Sequence, residues 1–173
     1  DINVVGHRVV HGGETYTRPT VLNDETIAAL EKLSHLAPLH NPANVQGIHA
    51  AQRLLPEARH VAVFDTAFHA TLPAKAFLYG LPRDLYKQGI RKYGFHGSSH
   101  DYVTRKAAEI LGQAREELKI ISLHLGNGAS AAAVLKGKSV ETSMGLTPLD
   151  GLLMGTRVGE IDPGVLLHLL RNG

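Results

Sequence analysis

The chain of 173 residues is long enough for one domain or two small ones, and 43% hydrophobic residues with 20% charged residues is an ordinary globular composition. Its net charge of +2 is too small to indicate binding to nucleic acid or to an anionic membrane surface. The sequence has no cysteine, which excludes disulfides and thiolate metal sites, and no apolar run approaches the ~20 residues of a membrane span. We therefore expect a soluble, cytoplasmic protein.

Two β-branched or apolar runs predict buried strands in the first half of the chain. Residues 3–11 predict a strand that is covered on both faces, and residues 60–65 predict an interior strand that ends at Asp65. Residues 66–97, with several prolines and glycines, are expected to be irregular. This change in composition predicts a domain boundary just after Asp65.

Two helices are expected between these strands. Residues 25–35 carry apolar side chains at helical spacing, and Asp24 is the expected N-cap. Residues 40–55 show a second apolar stripe, with Asn41 as the expected N-cap and Pro42 as the first helical residue. Strands and helices together predict an α/β protein.

The second half also contains clear helix signals. A helix is expected to start near Ser98, because Ser98 and Asp101 form a capping-box-like pair, and to stop at Gly112. A final helix is expected over residues 163–171, with Asp162 as its N-cap.

A glycine-rich turn joins two further predicted strands, residues 118–125 and 130–137, and residues 138–143 continue the same sheet. An Asn-Gly pair between strands favours a two-residue hairpin turn in which both positions have positive φ. Gly126, Asn127 and Gly128 together also suit an anion-binding turn of successive backbone N–H groups, with His124 as a further donor. The local sequence leaves a plain hairpin and an anion site equally open.

Two charged residues lie on or after the predicted strands of the first half. Arg8 points to the same side as Val10, because alternate residues of a strand share a face. It is therefore either half of a structural salt bridge or a guanidinium that binds a carboxylate or phosphate. Asp65, at the carboxyl end of a strand, either holds Mg²⁺ or caps a turn.

Loop residues supply further candidates. His96 lies at a glycine-flanked bend before a helix, where it either donates to a phosphoryl oxygen or only occupies the cap region. Its i, i+4 spacing to His100 is not a metal motif, because His96 precedes the helix. Arg157, in a glycine-rich loop, is either solvated or reaches over a phosphate. Such a set of cations suits charge stabilisation of a transferring phosphoryl group better than nucleophilic or redox chemistry.

Six segments, in order, resemble the acetate and propionate kinase family: "GHRVVHGGE", "LAPLHNP", "FDTAFH", "YGFHGSSHDYV", "HLGNGAS" and "ETSMGLTPLDGLLMGTRVGEIDPG". The resemblance runs nearly from end to end, although family members are more than twice as long. It implies an incomplete actin-like ATPase (ribonuclease H-like) fold. Residues 1–66 would form the C-terminal part of the first domain, and residues 67–173 the N-terminal part of the second.

The resemblance implies a reversible reaction in which ATP and acetate give ADP and acetyl phosphate, by direct in-line attack of the carboxylate on the γ-phosphorus. Arg8 and Arg157 would stabilise the phosphoryl group and orient the carboxylate. His96 would donate to the same group in the transition state, and Asp65 would bind or position Mg²⁺. The family's second Mg²⁺ ligand and its adenosine-binding residues lie outside this chain.

Further roles follow from the same resemblance. His124 and Leu125 would form a phosphate-binding loop with the turn Gly126–Asn127–Gly128. A small pocket for the acetate methyl group would be lined by Val10, Leu39, Phe95 and Pro148. His40 would lie near the site in a role left unspecified. The resemblance also implies a homodimer for the full-length enzyme. Two alternatives stay open: a propionate or butyrate kinase, and a catalytically inactive segment with residual anion or nucleotide binding.

Overall fold

The computed structural model describes residues 1–38 and 40–173, so that Leu39, predicted to line the methyl pocket, lies outside the described residues. The strands are Val4–Val9 (β1), Thr20–Val21 (β2), Arg59–Phe64 (β3), Lys119–Leu125 (β4), Ala129–Leu135 (β5) and Lys138–Thr142 (β6). The α-helices are Asp24–Lys32 (α1), Asn41–Leu54 (α2), Ala74–Phe77 (α3), Arg83–Lys87 (α4), Gly97–Leu111 (α5) and Pro163–Asn172 (α6). Short 3-10 turns occur at Leu33–His35, Ala67–Thr71 and Arg115–Glu117. The predicted α/β class is confirmed.

None of the described helices is both long and apolar enough to span a membrane. The stretch 66–97, expected to be irregular, contains one 3-10 turn and the short helices α3 and α4.

The first sheet has the strand order β1-β3-β2. Strands β1 and β3 are parallel, with Val9 opposite Phe64, and the helices α1 and α2 lie in the connection that parallel pairing requires. These helices cover one face of the sheet. The resulting core consists of Val9, Leu22, Ile27, Leu30, Val45, Ile48, Ala62 and Phe64.

The other face of β1 is open, and the prediction that this strand is covered on both faces is wrong for the described residues. Val4, Gly6 and Arg8 all point away from the helices and are exposed. The Arg8 side chain is 67% exposed. Alternation along the strand places Val5, His7 and Val9 on the covered side instead.

The second sheet is an antiparallel meander with the order β4-β5-β6. The last pair of the β4–β5 hairpin is Leu125 with Ala129, which leaves three loop residues, Gly126, Asn127 and Gly128. Among the described non-glycine residues only His96 and Lys136 have positive φ, so the predicted two-residue turn is wrong. A third loop residue removes the need for positive φ at Asn127.

Two predicted helix caps are wrong by one position. Asn23, in an extended conformation, accepts a hydrogen bond from the Thr26 N–H at 2.8 Å, whereas Asp24 is already the first helical residue. Asn41 is likewise already helical. Its amide bonds the backbone N–H and C=O of His11, each at 3.1 Å, and so ties α2 to the end of β1.

Helix α5 begins without the predicted pair of capping side chains. Its N-cap is His96, in the left-handed conformation with φ of 58°, and no side chain of the cap bonds the helix. Asp101 instead pairs with arginine side chains, and Ser98 is exposed. The expected stop at Gly112 and the Asp162 cap of α6 are confirmed.

A second core joins residues on both sides of Asp65. Val10 and Ala37 pack there with residues that follow Asp65 in the chain, namely Phe95, Ala129, Met144 and Met154. This core is continuous with the walls of the cleft described below. The predicted domain boundary after Asp65 stays a prediction.

The outer face of β4 exposes three large apolar side chains, Ile121, Leu123 and Leu125, of which Ile121 is 71% exposed. Patches of this kind promote association. We expect the chain by itself to self-associate, and the double variant Ile121→Lys, Leu123→Lys to associate less. Light scattering over a concentration series tests this, and a monomeric, cooperatively melting unmodified chain would contradict it.

Candidate functional site

A cleft of about 500 Å³ opens where the ends of β1 and β3, the start of α5, the β4–β5 loop and the loop before α6 meet. Most of the residues predicted from the sequence line it. They are Arg8, Val10, Asp65, Phe95, His96, His124, Asn127, Gly128, Pro148 and Arg157, with His40 beside them. Leu125 and Gly126 do not line it, because Leu125 points to the opposite face of the sheet from His124.

Arg8 and Asp65 form a bidentate ion pair at one edge of the cleft. The Nε and Nη2 groups of Arg8 donate to Oδ1 and Oδ2 of Asp65 at 2.9 and 2.7 Å. Asp65 is held in place because its N–H donates to the Val9 carbonyl at 3.0 Å, which continues the β1–β3 ladder. The hydrogen bond to Asp65 raises the pKa of the Arg8 guanidinium. Nη1 of Arg8 donates to no described residue, so it is available to a ligand in the cleft.

His96 extends from the start of α5 towards the β4–β5 loop. Its backbone N–H makes a weak contact of 3.4 Å with Oδ2 of Asp65, and its Nδ1 lies 2.9 Å from the Ser130 hydroxyl. Its ring stacks on His124 with 4.0 Å between centroids. Burial, reinforced by the nearby His124, lowers the pKa of His96 to about 4. The imidazole is therefore neutral near pH 7 and has one N–H to donate.

The glycine loop brings the backbone close to both His96 and Arg157. A Cβ atom at Gly128 would lie 3.1 Å from Cε1 and Nε2 of His96 and 3.3 Å from Nη1 of Arg157. The Gly126 N–H bonds the Gly128 carbonyl at 3.0 Å, so it belongs to the turn itself. The N–H groups of Asn127 and Gly128 bond no described residue, and they are the part of the predicted anion site that remains available.

The sequence resemblance implies phosphoryl transfer. For that reaction, replacing Gly128 with alanine is expected to lower kcat by about 10- to 100-fold, because His96 and Arg157 must both move by a few tenths of an ångström. Gly126→Ala is the matched variant, since its Cβ would lie 3.6 Å or more from its neighbours. The test is steady-state kinetics of the two single variants, each made in a full-length protein. Equal losses from the two variants would contradict it.

Arg157 and His124 are each fixed by a neighbour. The Nη1 group of Arg157 donates to the Pro148 carbonyl at 2.9 Å, which places the guanidinium over the loop and holds Pro148 at the cleft. Nδ1 of His124 lies 2.8 Å from the Ser99 hydroxyl, in the first turn of α5. Ser98 and Ser99 also line the cleft. They were not predicted as site residues, although two hydroxyls at a helix start next to a candidate histidine are a usable signal.

The apolar part of the cleft is small. Val10 and Phe95 are 6% and 1% exposed, and each reaches the cleft from the second core. Pro148 adds a partly buried ring. This lining suits a short aliphatic group.

Three histidines are fully buried behind the cleft: His11, His69 and His100. Serine hydroxyls partner two of them, because Ser139 lies 2.8 Å from Nδ1 of His69 and Ser130 lies 2.8 Å from Nε2 of His100. Burial lowers the pKa of all three histidines to about 4. None of the three was predicted to have a function.

These buried histidines predict a loss of stability in acid. Each binds a proton more weakly when folded, with a pKa near 4, than when unfolded, with a pKa near 6.5. Their contribution is fully present above pH 6.5 and falls as the pH drops towards 4, by at most about 1.4 kcal/mol per pH unit for each histidine. Urea unfolding of a full-length protein between pH 7.5 and pH 5 measures this. A free energy of unfolding that is constant over this interval would contradict it.

Asp65 is the carboxylate of this cleft, and within the described chain no group of three or more potential metal ligands occurs. Each of its oxygens accepts one guanidinium hydrogen bond. Oδ1 retains a lone pair, whereas Oδ2 also receives the weak contact from the His96 N–H. Mg²⁺ keeps several waters and needs only one or two protein carboxylates when phosphates supply the rest. Asp65 therefore fits a magnesium ion that is held mainly by water and phosphate.

Comparison with known proteins gives a consistent assignment. The acetokinase family model matches residues 1–173. Acetate kinase of Carboxydothermus hydrogenoformans is 59% identical over 170 residues, which cover 98% of this chain and 43% of the relative. Acetate kinase of Thermotoga maritima is 60% identical over 171 residues, which cover 98% of this chain and 42% of the relative.

Solved structures agree with this assignment. The crystal structure of Porphyromonas gingivalis acetate kinase matches with a TM-score of 0.93 and 51% identity, over 98% of this chain and 43% of that one. A propionate kinase from Francisella tularensis matches with a TM-score of 0.93 and 50% identity, over 98% of this chain and 44% of that one. The chain thus spans less than half the length of these relatives. On the family match and these identities, it belongs to the acetokinase family.

Proposed function

We propose that a full-length protein carrying this chain transfers the γ-phosphoryl group of ATP reversibly to acetate, giving acetyl phosphate and ADP. The observation that carries this proposal is the convergence of Arg8, His96 and Arg157 on one cleft with a small apolar lining. Relatives about 60% identical to this chain are named acetate kinases, which supports the same reaction.

The proposed chemistry is charge stabilisation. A carboxylate oxygen of acetate attacks the γ-phosphorus in line, and the methyl group lies against Val10 and Phe95. Arg8 and Arg157 stabilise the negative charge on the transferring group, and His96 donates a hydrogen bond to it. No general base is required, because a carboxylate is already the nucleophile. A neutral His96 is suited to this role because it donates without first taking up a proton.

The nucleotide phosphates are proposed to lie along the β4–β5 loop. His124, Asn127 and Gly128 line the cleft there, and the backbone N–H groups of Asn127 and Gly128 bond no described residue. We propose that Asp65 is the residue of this chain that would hold Mg²⁺. When bound, the ion would neutralise charge on the nucleotide phosphates. The Arg8 ion pair keeps the Asp65 carboxylate in a fixed orientation for this purpose.

Propionate is the second candidate substrate, because the propionate kinase structure matches this chain as well as the acetate kinase structure does. One methylene in an apolar pocket changes binding by only about 1–3 kcal/mol. The high identity to acetate kinases favours acetate.

The experiment is a substrate series on a full-length protein that carries this chain. We expect acyl phosphate formation from ATP to show the highest kcat/KM with acetate, a lower value with propionate and the lowest with butyrate. A higher value for propionate or butyrate would overturn the choice of acetate. ADP release that does not depend on any carboxylate would overturn the proposed reaction.

A cytoplasmic location and a homodimer of the full-length protein stay predictions. The molecular mass of that protein in solution tests the second.

A further inference from the structure

Four side chains form a continuous hydrogen-bonded chain from the cleft into the protein interior. Nδ1 of His96 lies 2.9 Å from the Ser130 hydroxyl, and the same hydroxyl lies 2.8 Å from Nε2 of His100. Nδ1 of His100 then lies 2.9 Å from the Ser122 hydroxyl. Ser130 and His100 are fully buried, and Ser122 is 2% exposed. We call these four residues the histidine–serine chain.

Secondary structure fixes the spacing of the histidine–serine chain. His96 and His100 lie one turn apart at the start of α5. Ser122 and Ser130 lie on neighbouring strands, with Ser122 opposite Ala132, so both hydroxyls reach the side of the sheet that faces α5. Each hydroxyl therefore has a histidine nitrogen within hydrogen-bond distance.

The supply of hydrogens decides the direction of these bonds. A neutral imidazole has one N–H, and a hydroxyl has one O–H. If Nδ1 of His96 donated to Ser130, Ser130 would donate to Nε2 of His100, whose Nδ1 would donate to Ser122. The hydrogen of Ser122 would then be buried without an acceptor, since within the described residues its hydroxyl contacts only His100.

The opposite direction uses every buried hydroxyl hydrogen. Ser122 donates to Nδ1 of His100, Nε2–H of His100 donates to Ser130, and Ser130 donates to Nδ1 of His96. A third arrangement, in which both histidines donate to Ser130, leaves the Ser130 hydrogen without an acceptor among the described residues. Buried donors without partners are costly and rare, which favours the inward-to-outward direction.

We propose that Ser130, oriented by His100 and Ser122, is a positioning residue that keeps His96 in the tautomer with its hydrogen on Nε2. This inference rests on the proposed function, in which His96 donates to the transferring phosphoryl group. Nε2 is the ring nitrogen on the cleft side, since a Cβ at Gly128 would lie 3.1 Å from it and 3.3 Å from Nη1 of Arg157. The fixed tautomer thus directs a donor to the place that the Arg157 guanidinium also reaches.

The kinetic test uses a full-length protein that carries this chain. Ser130→Ala is expected to lower kcat for acetyl phosphate formation by about 10- to 100-fold, the usual effect of losing an orienting hydrogen bond. The KM values for acetate and ATP should change less than about twofold. Ser122→Ala should lower kcat in the same way but less, and it serves as the second variant if Ser130→Ala does not fold.

Ser139→Ala is the matched control. Ser139 is also fully buried and bonds a buried histidine, His69, at 2.8 Å, but it is not in the histidine–serine chain. The kcat of the Ser139→Ala variant should stay within about twofold of the kcat of the unmodified enzyme. Unchanged kcat in Ser130→Ala, or equal losses in Ser130→Ala and Ser139→Ala, would overturn the proposal.

A spectroscopic test is independent of turnover. The ring-nitrogen NMR signals of His96, assigned by their loss in His96→Asn, should show the hydrogen on Nε2 in the unmodified protein and a mixture of tautomers in Ser130→Ala. A hydrogen on Nδ1 in the unmodified protein would overturn the inference whatever the enzyme's activity. An unmodified protein that forms no acetyl phosphate but shows the Nε2 tautomer would instead overturn the proposed function alone.

Discussion

Replacing Arg8 with alanine in a full-length protein carrying this chain should lower kcat for acetyl phosphate formation about a thousandfold. An arginine that stabilises a transferring phosphoryl group contributes on the order of 10³–10⁵ to kcat. Arg8 offers such a group at the edge of the cleft, and it also anchors the Asp65 carboxylate through two hydrogen bonds. The measurement is steady-state formation of acetyl phosphate from ATP and acetate.

The Arg8→Ala variant also leaves Asp65 without its counter-ion, so unfolding must be measured beside activity. Arg8→Lys keeps the charge but not the planar fork, and it should recover only a small part of kcat. Arg59→Ala is the matched control, because Arg59 is exposed and starts β3 at the far end of the same strand pair. A fully active Arg8→Ala enzyme, or one whose entire loss follows from unfolding, would contradict the proposed role.

Gly97→Ala should lower the free energy of unfolding by about 3 kcal/mol, the upper range for an added methyl in a packed interior. Gly97 is the first residue of α5, and it donates its N–H to the Asp65 carbonyl at 2.9 Å. An added Cβ would collide with that carbonyl oxygen and lie 3.0 Å from Cβ of Phe68. Neither neighbour can rotate away, since one is backbone and the other is the root of a side chain. Activity should fall too, because Asp65 and His96 flank the contact.

Chemical denaturation of the full-length protein measures this loss. Gly47→Ala is the control: Gly47 is exposed within α2, nothing lies within 4 Å of its added Cβ, and alanine should stabilise by about 1 kcal/mol. If Gly97→Ala were as stable as the unmodified protein, the close contact between α5 and Asp65 would be wrong.

Much of the fold followed from local sequence pattern. The strands β1, β3, β4 and β5 and the main helices lie where apolar periodicity places them, because that pattern records which faces are buried. One error concerns burial, because β1 is open on one face among the described residues. The other errors lie at element ends. Asn23 caps α1 instead of Asp24, and the hairpin loop has three residues instead of two. Such details depend on single hydrogen bonds, which the apolar periodicity of the sequence does not encode.

The candidate site was predictable as a set of residues but not as a geometry. Motif resemblance identified Arg8, Asp65 and His96, and the structure brings them to one cleft. Local sequence could not show that Arg8 and Asp65, 57 positions apart, form a bidentate pair. It also missed Ser130, because a serine in an apolar strand has no distinctive pattern until the strand is packed against α5.

Acetyl phosphate formation from ATP, Mg²⁺ and acetate should be measured side by side for a full-length protein carrying this segment and for the 173-residue chain alone. We expect carboxylate-dependent turnover by the full-length protein and none by the chain alone, because the family resemblance assigns the adenosine-binding residues to regions outside this chain. Turnover by the chain alone would contradict that assignment. A folded full-length protein that binds ATP but forms no acyl phosphate with any short carboxylate would contradict the proposed function.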